Sequence, residues 1–283
     1  MKTLKTALLL GILTVILVAI GGMLGGPNGA RTAFIFALVI NFISYWFCDK
    51  IVLAMYRAKP IGPAELPELQ GMVRELAGRA GIPMPKLYMT PHRSPNAFAT
   101  GRNPAHAVVC VTQGILELLN HDELKGVLAH ELGHVKNRDI LVSTIAATIA
   151  GAITMMADWA RWAMVFGGGR NRDRRSGGGE AIAMIALMIL APLAAMLVQL
   201  AISRAREYGA DETGAHLAHS TTGLASALAK LEEAAKVRPL GANPSTAHLF
   251  IVNPLRADFI ATLFNTHPPM RERIKRLREM RIS

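Results

Sequence analysis

The chain is poor in cysteine: 283 residues hold only Cys48 and Cys110. One lies in a long apolar run and the other in a strand-like run, so neither a disulfide framework nor a thiolate zinc site is implied. Charge is scarce as well. Only 18% of residues are charged while 51% are hydrophobic, a balance too apolar for a typical soluble enzyme. Acidic residues are the scarcer sign, 20 against 31 Lys plus Arg, which gives a net charge of +11 and a pI near 10.1. That charge is compatible with nucleic acid, but the sequence lacks an aromatic-interleaved basic module and any finger spacing, so no nucleic-acid partner is expected. No internal repeat is evident.

What the chain does have is apolar length. Ala7 to Gly22 is uncharged behind Lys2 and Lys5, and Thr32 to Cys48 is uncharged and closes with Tyr45-Trp46-Phe47 before Asp49 and Lys50. Each is long enough to cross a bilayer as a helix, the second ending in an interfacial aromatic belt. A cleaved signal peptide competes as a reading of the first run, but its length and the apolar run that follows at once argue against it. Ile140 to Ala157 and Ala181 to Ile202 are again uncharged and of spanning length, and Asp158-Trp159-Ala160-Arg161-Trp162 marks an interface between them.

Lys2, Lys5, Lys50, Arg57 and Lys59 flank the first two runs, and the positive-inside rule then places the N-terminus and everything after Lys50 in the cytoplasm. Anionic lipid of the inner leaflet is the expected partner of that charge. The Gly167 to Gly179 loop carries Arg170, Arg172, Arg174 and Arg175, which would lie outside if the third and fourth runs both span. Its basic bias runs against the rule, so full crossing by that hairpin stays open.

The chemistry sits in His130-Glu131-Leu132-Gly133-His134. On a helix, residues i and i+4 project from one face, so both imidazoles can reach one zinc ion, with Glu131 beside its open position. Acidic residues in His121-Asp122-Glu123 mark a helix start, and Lys136 and Arg138 suit its C-terminal end. This helix is charged along its length, a costly composition at membrane depth, so the metal is expected at the cytoplasmic face. Ahead of it, Leu66 to Ala80 repeats apolar residues at helical spacing after a proline-stiffened linker. Lys86 to Met89, Asn96 to Thr100 and Ala107 to Val111 read as short strands of a small sheet. Leu224 to Lys236 and the basic Pro268 to Met280 read as helices, with Val237 to Asn253 as loop.

Zinc needs a third protein ligand, and Ser203 to Asp211 offers Glu207 and Asp211 on one helix face. Glu207 would ligate while Asp211 accepts the other ring N–H of a zinc histidine. The competing reading, a solvated acidic pair salted by Arg204 and Arg206, is as good on local pattern alone. Position decides between them: His134 precedes the third apolar run and Glu207 follows the fourth, so a hairpin that leaves and returns brings both to one bilayer surface. His216 and His219 form a rival i, i+3 pair without an adjacent carboxylate and are read as ordinary histidines.

With these residues in hand, the chain resembles the HtpX-type bacterial membrane zinc metallopeptidases, distant kin of the CAAX-prenyl endopeptidases. The resemblance covers nearly the whole length. It rests on Ser94 to Gly101, His130 to His134, Ser203 to Asp211 and His267-Pro268-Pro269 before a basic helix. It implies that His130, His134 and Glu207 bind one zinc ion per chain and that Glu131 is the catalytic acid and base. It also implies that Asn96, Ala97 and Phe98 belong to a strand along which a substrate peptide pairs in β-augmentation. His267 would donate to the oxyanion, with helix capping before Pro268 as the competing role.

The expected architecture is a mainly α, multi-pass protein of the bacterial inner membrane, with about four hydrophobic helices and a cytoplasmic zincin-like α+β metallopeptidase domain holding a small β-sheet. Residues 1–54 form an N-terminal hairpin, 55–139 the first peptidase part, 140–203 a second hairpin with its loop at 167–180, and 204–283 the second peptidase part. By resemblance the substrates are misfolded or damaged membrane proteins, as in membrane quality control and stress response. Prenyl-peptide processing would want more helices than four. A scaffold held by a structural zinc would want four protein ligands in place of three plus Glu131.

Overall fold

The computed structural model describes residues 2–145, 204–237, 251 and 268–282. The second hydrophobic hairpin, the Arg-rich loop and His267 therefore lie outside the described residues, as does most of the Val237 to Asn253 segment.

The chain begins with one long helical stretch, α1 (Lys2–Met55), which turns back on itself. Gly26 takes φ +57°, a left-handed value open to glycine, and Pro27 beside it lacks the N–H that a continuous helix would use. Beyond the turn, Asn41 Nδ2 donates to Thr14 Oγ1 at 2.9 Å, and a methyl added at Gly21 would overlap Gly29 and Ala33. The two apolar runs are thus opposed legs of one bent helix. Where two spans were expected, the described residues hold one helix that is long and apolar enough to cross a membrane, Gly26–Met55, and Ala7–Gly22 lies in the other leg. Along the Gly26–Met55 leg Phe34, Ile35, Leu38, Phe42 and Trp46 are exposed, whereas Ala37, Ser44 and Cys48 are buried. Bulky residues outward and small ones inward is the pattern of a lipid-facing helix.

The end of α1 continues into the sheet. Val52 and Leu53 pack with Phe98, Val108 and Cys110, and the Tyr56 and Phe98 ring centroids lie 5.3 Å apart. The sheet has four strands, β1 (Lys59–Pro60), β2 (Lys86–Thr90), β3 (Ala97–Thr100) and β4 (Val108–Thr112), in the order β1-β2-β4-β3. β2 and β4 run parallel, while β3 pairs antiparallel to β4 with Ala97 opposite Val111 and Ala99 opposite Val109. β1 forms where only a stiff linker was expected; as an edge strand it tolerates the missing N–H of Pro60. Every residue of β3 and β4 is buried because both faces are covered. Phe98, Val108 and Cys110 meet α1, and Ala97, Ala99, Val109 and Val111 join the main core.

That core is built by α2 (Pro67–Ala80), α3 (Gln113–Leu118), α4 (His121–Lys136), α5 (Arg204–Ala218), α6 (Thr222–Val237) and α7 (Met270–Glu279). α4 is fixed at its start by a capping box, in which Asn120 accepts from the Glu123 N–H and Glu123 accepts from the Asn120 N–H. The same Glu123 carboxylate accepts from Ser226 at 2.6 Å and pairs with Lys230 at 2.8 Å, tying α4 to α6. Two glycines let helices cross closely. A Cβ at Gly126 would lie 2.5 Å from the Leu224 nitrogen, and one at Gly214 only 2.8 Å from the His130 nitrogen. The second contact presses α5 onto α4 at His130.

Candidate active site

α4 carries His130 and His134 one turn apart, and α5 brings Glu207 against them. The ligand atoms of the three residues lie within 4.8 Å of one another. His130 Nε2 is 3.8 Å from Glu207 Oε2, and His134 Nε2 is 3.5 Å from Glu207 Oε1. Glu207 and Asp211 are both buried, which rules out the solvated acidic face as a description of this helix.

Both Nδ1 atoms face carboxylates. His130 Nδ1 lies 2.9 Å from Asp211 Oδ1, and His134 Nδ1 lies 3.7 Å from Asp139 Oδ2. A carboxylate at Nδ1 orients the ring so that Nε2 faces a metal, and two imidazoles and one carboxylate converge as zinc requires. This donor set fits zinc in kind and in number, with one position left for water or substrate. Carboxylate orientation of this sort typically accounts for 10- to 100-fold in metal affinity. Asp139→Ala is accordingly predicted to weaken zinc binding by about that factor, measured by competition with a chromophoric chelator. Unchanged affinity would show that Asp139 does not orient His134.

The sequence reading did not anticipate Arg273. This residue of α7 is wholly buried, and its Nε and Nη2 donate to Asp211 at 2.8 and 2.7 Å in a two-pronged pair. Its Nη2 also lies 3.5 and 3.4 Å from the two ring nitrogens of His130, equidistant and so not along either lone pair. Nη1 has no hydrogen-bond partner among the described residues but sits 3.5 Å from Glu207 Oε2. Burial opposes the charge on Asp211, yet Arg273 and His130 outweigh it and hold the carboxyl below its usual range. The clue in the sequence was an arginine on the apolar face of a basic helix, between Met270 and Leu277, both buried. Asp139 was missed because it follows the helix that carries the motif.

Glu131 is buried beside the histidines, and its Oε2 accepts the Ala99 N–H at 2.8 Å. Burial pushes its carboxyl above the usual range, with Glu207 adding to the effect, although His130 and His134 pull the other way. Thr112 N–H donates to the Asn96 carbonyl, so in the antiparallel ladder Phe98 and Thr100 also point their backbone groups at β4, while Ala97 and Ala99 point theirs outward. β3 ends the sheet among the described residues, and its edge is offered by Ala97 and Ala99. The Asn96 side chain is buried and accepts the Ile251 N–H at 3.1 Å, and Phe98 is turned toward α1. His216 and His219 are exposed on and just after α5.

His134 gives the site a pH signature when metal is stripped by a chelator. Burial alone would pull its imidazole down, but Asp139, Glu207 and Glu131 outweigh burial and push it up to about 9 from 6.5. A folded pKa above the unfolded one contributes stability that is fully present below 6.5 and lost as pH rises through about 9. Thermal midpoints measured in EDTA are predicted to fall across that window, more steeply than those of His134→Gln. A rise across it would contradict this placement of charges.

With the geometry described, comparison with known proteins is informative. Residues 63–281 match Peptidase family M48. A Protease HtpX homolog of Syntrophobacter fumaroxidans is 56% identical over 277 residues, covering 98% of each chain. A Protease HtpX homolog of Pelotomaculum thermopropionicum is 55% identical over 282 residues, covering 100% of each. Among solved structures, S. mikatae Ste24p superposes with a TM-score of 0.52 at 19% identity, over 98% of this chain and 64% of its own. The chain thus spans less than two thirds of that structure, and the likeness concerns fold alone.

Proposed function

Because the chain belongs to peptidase family M48 and is a membrane metalloprotease, we propose that His130, His134 and Glu207 hold one zinc ion and that Glu131 moves the protons of peptide hydrolysis. The observation that carries this reading is the convergence of the three ligand atoms within 4.8 Å, with the Glu131 carboxylate buried beside them. Zinc held there would polarise the scissile carbonyl and lower the pKa of a water. Glu131 Oε1 or Oε2 takes the proton of the attacking water and delivers it to the departing amine nitrogen, so the carboxylate ends as it began. Burial raises its pKa, which makes it a stronger proton acceptor than a solvated carboxylate.

Substrate lies along the strand that Asn96, Ala97 and Phe98 begin, paired to the outward backbone groups of Ala97 and to the Ala99 carbonyl, the Ala99 N–H being held by Glu131. Only an extended chain can pair this way, which favours unfolded segments. Misfolded or damaged membrane proteins are therefore the proposed clients, cut at the cytoplasmic face of a bacterial inner membrane as part of envelope quality control. The basic residues beside the α1 legs support that side. By resemblance to related peptidases, His267 supplies a donor to the oxyanion. The test uses the full chain in detergent with zinc, given one membrane protein in folded and in unfolded form. Cleavage of the unfolded form that stops with EDTA and returns with zinc is expected. No cleavage of either form in zinc would overturn the proposal.

A further inference from the structure

The strand beside Glu131 has a definite direction relative to the bilayer. Trp46 belongs to the aromatic belt near the end of the apolar α1 leg, and the Arg102 guanidinium stacks on it at 4.5 Å. Ten residues further on, just past the end of α1, Tyr56 packs on Phe98. β3 carries the chain from Phe98 to Thr100, and Gly101 leads on to Arg102. The earlier residue of the strand thus meets the later residue beside α1, and the later one the earlier, so β3 runs beside the end of α1 in the opposite sense, toward the membrane. Its last residue supports this independently. Thr100 Oγ1 is 3.0 Å from Thr144 Oγ1, and Thr144 lies at the start of the third apolar run.

We infer that the site is polar with respect to its client: it takes the segment that follows a membrane anchor in the client chain, in preference to a segment that precedes one. This rests on the reading of β3 as the strand with which substrate pairs. Antiparallel pairing is the more stable arrangement per residue. A chain antiparallel to β3 runs away from the bilayer, with its N-terminal part at the Arg102 level and its C-terminal part past Ala97. An anchor N-terminal to the cut feeds the site directly. An anchor C-terminal to it would have to double back before it could re-enter the membrane, which removes the gain of tethering. From Arg102 to Ala99, whose N–H meets Glu131, is three residues, at most about 10 Å. The earliest cut therefore falls roughly three to five residues beyond the anchor.

Three test polypeptides sharing one unstructured segment decide the matter: anchor before the segment, anchor after it, and no anchor. Each is incubated with the zinc-loaded full chain in lipid nanodiscs, and cut sites are read by mass spectrometry. The anchor-first substrate is expected to be cut about tenfold faster than the anchor-last one, with no cut nearer than about three residues to the anchor. If the soluble segment is cut while the two anchored ones are cut equally, or the anchor-last one faster, the polarity is overturned and the peptidase reading stands. If none of the three is cut, the peptidase reading fails and the polarity with it.

Discussion

Glu131→Gln is expected to lower kcat by about 10³-fold, within the range that removal of a positioned proton carrier produces, while zinc content and KM stay close to wild type. The amide has the size of the carboxylate, and its oxygen can still accept the Ala99 N–H that positions Oε2 at 2.8 Å. What it cannot do is take a proton from water at any accessible pH. A second readout separates this from a structural defect. The variant should retain its thermal midpoint or gain slightly, since a buried carboxylate whose pKa is raised by burial is replaced by a neutral group. Equal cleavage by variant and wild type would assign the proton transfer to another group.

Arg273→Ala is expected to be the most damaging change to stability among the site residues. The guanidinium is fully buried, makes the two-pronged pair with Asp211 and faces Glu207 at 3.5 Å. Removing it breaks the buried pair with Asp211, a loss of about 3–5 kcal/mol. That is roughly a 10 °C fall in midpoint for a chain of this size. Lys275→Ala, on the exposed side of α7 with Glu279 at 4.0 Å, should cost under about 1 kcal/mol. Arg273→Lys should recover only part of the loss, because an ammonium cannot match the planar fork. Comparable midpoints for Arg273→Ala and Lys275→Ala would show that the buried pair does not hold α7 to α5.

The difference between these two variants also marks the limit of what the sequence discloses. His130, Glu131 and His134 were legible because a helical i, i+4 relation is local. Glu207 and Asp211 were legible because two apolar runs between them and the motif imply a return to the same surface. Three of the four strands were readable to within a residue at each end, and the two-residue edge strand Lys59–Pro60 was not. Arg273 lies 62 residues beyond Asp211 in a helix whose other charges face outward, and local pattern gives no means of pairing them. Asn96 was read as the head of a substrate strand, while its buried side chain proves also to fix Ile251, 155 residues away. A hairpin over residues 1–54 was expected, but its turn at Gly26 within one bent helix was not legible, for a different reason. Apolar runs announce their length, but whether two of them form separate helices or opposed legs of one bent helix depends on tertiary contacts such as Asn41 to Thr14.

Zinc held by two nitrogens and one carboxylate, from α4 and α5, is the proposal on which the hydrolytic chemistry depends. Zinc-edge X-ray absorption of the purified full chain tests it most directly, run on wild type and on Glu207→Ala after loading with one equivalent of metal. The account predicts one tightly held zinc in wild type with only nitrogen and oxygen neighbours at about 2.0–2.2 Å, and loss of that metal from Glu207→Ala on dialysis. A sulfur neighbour, or zinc retained by Glu207→Ala with an unchanged spectrum, would contradict it.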